Sequence, residues 1–239
     1  MLDVLMFHPN AATLSHIEGS YFVHFSVLAL SSIFFLVDPF AALPTFLAVT
    51  ADQDNKRRVA TARKASLTAF VILTSFAFAG TYIFRLFGIS LPAFEIAGGV
   101  ILLLIGLDML EAKRSPMQES PKETRAAQSK DDAGIVPMGI PMLAGPGAIT
   151  TVMVLVGQAQ TRWQLVAVIG AIAITAAICF VVLGSATRVA SILGETGIRI
   201  LIRVMGLLLV ALAVQYFVNG FADLGVLARP LIAADTGSM

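Results

Sequence analysis

Residues 21–50 read YFVHFSVLALSSIFFLVDPFAALPTFLAVT, thirty residues with one carboxylate, Asp38, and neither lysine nor arginine. A helix crosses the hydrocarbon core of a bilayer with about 20 apolar residues. The stretch is therefore longer than one simple span, and Asp38-Pro39 interrupts it. Proline removes a backbone donor, clashes with the preceding turn and pushes the residue before it out of the helical region. Two half-helices meeting at Asp38-Pro39 are the predicted result.

The rest of the chain has the same character. Its 239 residues are 57% hydrophobic and only 13% charged, with a mean hydropathy of +0.87. A soluble domain carries about 25% charged residues, so this chain cannot cover a water-facing surface of ordinary size, and lipid asks for no such cover. Five further apolar regions follow at 65–87, 91–111, 135–157, 163–184 and 200–221. The predicted fold class is all-α: one polytopic membrane domain over residues 1–239 with six transmembrane regions. The fourth region carries Gly145-Pro146-Gly147 in its middle, a second predicted break. Residues 113–134 are rich in Lys, Glu, Ser, Pro and Gln without apolar periodicity, and read as a flexible cytoplasmic loop. Residues 186–199 mix Ile192 and Leu193 with Arg188, Glu195 and Arg199, the pattern of a short interfacial helix.

Basic residues set the orientation, because cytoplasmic loops collect them. Thirteen of the sixteen fall between regions one and two, three and four, or five and six with the start of six, leaving Arg85, Arg162 and Arg229 for the other side. Both termini are thus expected outside, in the periplasm of a Gram-negative cell. The first twenty residues lack a basic n-region and a small-residue cleavage site, so no cleaved signal peptide is expected.

The two halves echo one another in order. Asp38-Pro39-Phe40-Ala41 and Gly145-Pro146-Gly147-Ala148 break the first region of each three-region set. LFGIS at 86–90 is matched by ILGET at 192–196, and the glycine-bearing run from Phe94 by the run from Ile202. Three spans per repeat is odd, so the second copy must be inverted. The expected repeats cover 21–112 and 135–222. Inverted repeats with a broken helix in each are a recurrent carrier plan, with the solute near the midplane.

That plan nominates the candidate solute site. The half-helix starts after Pro39 and Pro146 would offer N–H groups and a positive dipole end, flanked by Gly145 and Gly147, while Thr45, Thr150 and Thr151 would add hydroxyls. Asp38 is the ionisable group nearest the middle of its region, and charged groups at that depth default to functional hypotheses. Its alternative is a helix cap that never touches solute. Glu95 and Arg203 stand at equivalent places but at opposite faces of the membrane in an inverted arrangement. Asp108 is therefore the expected structural partner of Arg203. Gly98, Gly99, Gly106 and Gly206 read as close helix packing. His24, Asn219 and Asp223 read as interfacial.

Other chemistry finds no support in the residues. A net charge of +1 does not suggest nucleic acid, and the single Cys179 removes paired-thiol chemistry. No HExxH, phosphate loop or serine elbow is present, and no His/Cys cluster falls in a span. No metal, no cofactor and no enzymatic activity are expected.

Taken together, VDPFAALPTFLAVT (37–50), AGG (97–99), GIPMLAGPGAIT (139–150) and GETGIR from Gly194 resemble the MarC family of bacterial integral membrane proteins, over about 21–221. The resemblance implies kinship with the superfamily of small exporters that includes LysE-type amino-acid exporters. A few members are described as neutral amino-acid transporters, and most have no assigned substrate. The resulting expectation is a secondary carrier of a small polar solute, such as a neutral amino acid, in the bacterial inner membrane, with the bilayer, its solute and a second copy in a homodimer as partners. A non-transporting structural or regulatory membrane protein is the alternative.

Overall fold

The computed structural model describes residues 11–111 and 138–226. Among them every regular element is helical: α1 Ala11–Val37, α2 Leu43–Val49, α3 Asn55–Phe87, α4 Leu91–Leu110, a π-helical turn α5 Met138–Leu143, α6 Pro146–Gln158, α7 Arg162–Gly184 and α8 Ala186–Asp223. Four of these, α3, α4, α7 and α8, contain segments long and apolar enough to cross a membrane, and Phe22–Val37 and Pro146–Gln158 are shorter apolar helices. The expected loop at 113–134 lies outside the described residues, as do both extreme termini.

Local chemistry explains where the helices begin and end. Asp54, Ser90 and Thr161 cap α3, α4 and α7 by accepting the N–H of Arg57, Ala93 and Gln164. At Thr161 the Gln164 side chain returns the bond to the cap N–H, so two otherwise unpaired donors are satisfied together. Gly88 closes α3 in the left-handed conformation, φ 63°. Gly194 interrupts α8 at φ 61°, ψ 175°. The expected interfacial segment is thus helical from 186 to 193 and set off from the long apolar helix by that glycine.

Packing follows the small residues. Helices α4 and α8 run antiparallel along a shared seam. A Cβ added at Gly106 would lie 2.9 Å from the carbonyl oxygen of Gly206, and one at Gly206 would lie 2.9 Å from that of Gly106. Farther along, Gly99 faces the Ala213 carbonyl and Gly220 faces the Pro92 carbonyl. Backbone atoms occupy the space a side chain would need, so contact this close requires glycine. Helix α7 packs against α1 and α3, α6 lies among α1, α3 and α4, and α2 touches α8. The interior is filled by Ile33, Leu43, Phe46, Leu73, Leu102, Leu155, Ile172 and Leu183.

The outside is apolar too. Val71 and Phe78 on α3, Val100, Leu104 and Leu107 on α4, Ile174 and Val181 on α7, and Val204, Leu207 and Val214 on α8 are all exposed. So large an apolar surface is not sustained in water. It is the surface of a chain solvated by lipid.

A closed site at two helix breaks

Helix α1 stops where proline dictates. Asp38 still donates its N–H to Phe34, 3.0 Å away, but its own φ is +38°. Pro39 disfavours the right-handed helical region for the residue before it, and aspartate is among the few residues that tolerate positive φ. The side chain then turns back: Oδ1 accepts the N–H of Phe40 at 3.2 Å and of Ala41 at 3.0 Å. Asp38 thus caps the turn leading into α2. Its second oxygen, Oδ2, is buried without a partner, and the residue is only 6% exposed.

The second break is built differently. Gly145 precedes α6 in an extended conformation, φ −76°, ψ 171°, and Pro146 opens the helix, where its missing N–H costs nothing. Upstream, the π-helical bond from the Ala144 N–H to the Gly139 carbonyl spans 3.1 Å, and Ile140 departs from helical geometry. Gly145 has no side chain to cap α6. The first turn of α6 therefore has no side-chain cap, whereas the turn before α2 has the Asp38 carboxylate.

The last turn of α1 packs on the second break. A Cβ at Gly147 would lie 3.2 Å from Leu36, two residues before Asp38, and 3.0 Å from Leu102. Gly145, Gly147 and Ala148 line a cavity of about 10 Å³ with Leu36, Leu102, Ile105, Met142 and Leu209. Space of that order holds about one water molecule. In this conformation the junction is closed to any solute.

The other nominated residues lie on α2, α4, α6 and α8 or at the break after α1. Pro39 is buried, as is Thr45 on α2. Thr150 Oγ1 donates to the Pro146 carbonyl at 2.8 Å, while its methyl group faces Gly98 so closely that a side chain there is excluded. Tyr216 on α8 donates to Thr151 Oγ1 at 3.1 Å, both groups being buried. The two threonine hydroxyls are thus engaged within the protein in the closed state. Asp108 and Arg203 stand at one level of the α4–α8 seam, but Asp108 is half-buried and Arg203 exposed. No ion pair joins them among the described residues. The seam at that level is occupied instead by Met109 and Leu110 against Gly206.

Two features lie beyond the nominated set. Glu95, 1% exposed, accepts from Gln158 Nε2 at 2.8 Å, tying α4 to the last residue of α6. At the opposite end, Arg58 donates to Thr187 Oγ1 at 2.8 Å and to the Thr50 carbonyl at 3.1 Å. It joins the end of α2 to the α7–α8 junction. Arg58 is one of a run of basic residues in the sequence, and nothing there marks it as different. Its partner is 129 residues away, beyond the reach of local pattern.

Lipid-facing helices, two buried helix breaks inside them and a seam of small residues define the class: an integral, multi-pass, all-helical membrane protein. The chain belongs to the MarC family; the model of that family, described as MarC family integral membrane protein, matches residues 23–224. It is 43% identical to a UPF0056 membrane protein of Methanocaldococcus jannaschii over 83% of this chain and 96% of that one. It is 37% identical to a UPF0056 membrane protein of Aquifex aeolicus, over 83% and 92% respectively. Against the UPF0056 membrane protein YhcE of Escherichia coli the identity is 34%, over 79% and 87%. No solved structure matches.

Proposed function

We propose that the chain is a secondary carrier that moves a small polar solute, of the neutral amino-acid class, across the cell membrane, the inner membrane in a Gram-negative cell. The observation that carries this reading is the packing of Leu36, two residues before the first break, on Gly147 of the second, around a water-sized space. Backbone irregularity at membrane depth is tolerated only where protein or a water-filled cavity satisfies it, and paired breaks at one place are where carriers hold their solutes. Opening the junction frees the first-turn N–H groups of α6 for a carboxylate or other anionic group. Asp38, at the end of α1, would supply a negative charge for an ammonium group or a coupling cation.

The reading includes six membrane regions in two inverted halves, with both termini outside. Three features support it. The spacing that carries Pro39 onto Pro146 also carries Gly99 onto Gly206 and Gly106 onto Ala213. The contact of Gly106 with Gly206 and that of Gly99 with Ala213 then exchange with one another, as a two-fold axis in the membrane plane requires. Positive-φ glycines, Gly88 and Gly194, lead the last helix of each half. A homodimer fits the exposed apolar face of α8.

The test is purification, reconstitution into liposomes and a screen of amino acids and related metabolites, first by thermal shift and then by flux. Flux of one solute class in the wild type and its loss in Asp38→Asn is the expected outcome. If no solute shifts stability or crosses the membrane, the chain is a structural or regulatory membrane protein instead.

A further inference from the structure

Glu95 is a carboxyl group placed where one is expensive. It lies about 6 Å along α4, four residues at 1.5 Å each, on the face that also bears Gly98, Gly99, Leu102 and Gly106. That face is the seam with α6 and α8, and Glu95 is among its fully buried side chains. One carboxyl oxygen accepts from Gln158. The other, Oε2, is buried with no partner. Among the described residues no ion pair reaches Glu95. From α8, Asp223 is itself acidic, and Tyr216 is a neutral phenol already committed to Thr151. From α6, Gln158 is neutral. The end of α3 reaches this region through the Phe84–Phe94 ring contact, and its Arg85 is exposed.

We propose that Glu95 is a proton-binding site, and that its proton state holds or releases the C-terminal end of α6. An ionised carboxylate would leave a full share of negative charge on a buried oxygen that accepts no hydrogen bond. Uptake of one proton from water onto Oε2 removes that charge while the Gln158 bond to Oε1 remains. Loss of the proton back to water requires Oε2 to reach solvent, and the proposed route is a parting of the Gln158 end of α6 from α4. Because α6 also carries the Gly145-Pro146-Gly147 break at its other end, proton release and movement of the break are one event along a single 13-residue helix. This gives the proposed carrier a proton as coupling ion. That last step rests on the carrier reading, whereas the proton site does not.

Infrared spectroscopy of the reconstituted protein separates the two. At a pH where exposed carboxyl groups are ionised, the wild type should show a carboxylic-acid carbonyl band. The band should move on ¹³C-glutamate labelling, vanish in Glu95→Gln and persist in Asp38→Asn. It should fade as pH is raised further. The labelled wild type decides the matter even if Glu95→Gln does not fold. A band that ignores the label, one that survives in folded Glu95→Gln, or no band at all overturns the proposal. Failure to find a transported solute would leave the band in place, whereas absence of the band would leave any solute flux standing without this coupling site.

Discussion

Replacing Gly106 by alanine should unlock the α4–α8 seam, while the same change at Gly170 should not. At Gly106 the new methyl carbon would lie 2.8 Å from Val210 Cγ2, 2.9 Å from the Gly206 oxygen and 3.0 Å from the Val210 nitrogen. Two of those three are backbone atoms that no rotamer change can move. Carbon contacts settle near 3.5–4.0 Å, so the helices must separate by roughly half an ångström or more at their tightest crossing. Overpacking of this kind costs about 1–3 kcal/mol, against a helix-propensity gain of up to about 1 kcal/mol from glycine to alanine. At Gly170 on α7 nothing lies within 4 Å of the added carbon, so only the propensity gain remains. The expected outcome is that Gly106→Ala is less stable than Gly170→Ala by about 1–3 kcal/mol, the overpacking alone. Unfolding of purified protein by SDS titration, followed by circular dichroism, measures the difference. Equal stability of the two variants would refute the seam as described.

Three further predictions concern the polar groups. Asp38→Asn keeps a side-chain oxygen for the Phe40 and Ala41 donors, whereas Asp38→Ala loses the cap; the alanine variant should be less stable by about 0.5–2 kcal/mol, read from thermal unfolding of the two side by side. A double-mutant cycle of Tyr216→Phe and Thr151→Val should return a coupling of about 0.5–1.5 kcal/mol, and zero coupling would mean that the buried hydroxyl pair of α8 and α6 contributes nothing. Arg58→Lys removes the planar fork that reaches Thr50 and Thr187 together; amide exchange should rise at residues 50–54 and 185–188 and stay unchanged in α4, and uniform protection would show that the clamp is dispensable.

Much of this arrangement is legible in the sequence because membranes simplify the problem. Apolar runs of span length become α3, α4, α7 and α8, and the two Pro-containing interruptions become real ends, at Val37 and before Pro146. Proline acts through neighbouring backbone, so its effect is readable within a few residues. Small residues likewise mark the seam, since only glycine permits the mutual approach of residues 106 and 206. Side-chain partnership is less readable. Asp108 and Arg203 reach the same level of the seam, yet Arg203 points outward while Met109 and Leu110 take the contact. Gln158, a neutral amide at the end of a helix, gives no sign in sequence that it meets Glu95, 63 residues away. Nor does a Gly-Pro-Gly motif reveal how much space surrounds it. That depends on Leu36, Leu102, Ile105 and Leu209, contributed by three other helices.

A carrier of the proposed kind would open the junction of α1 with the second break in turn to the two sides of the membrane. Ala148, 2% exposed and lining the junction, is the place to ask, in a Cys179→Ala background that removes the native thiol. An Ala148→Cys variant should react with a membrane-impermeant maleimide in right-side-out vesicles and also in inverted ones, slowly in both, and more slowly still when a transported solute is present. Reaction from one side only, or from neither over the lifetime of the folded protein, would contradict alternating access at this site.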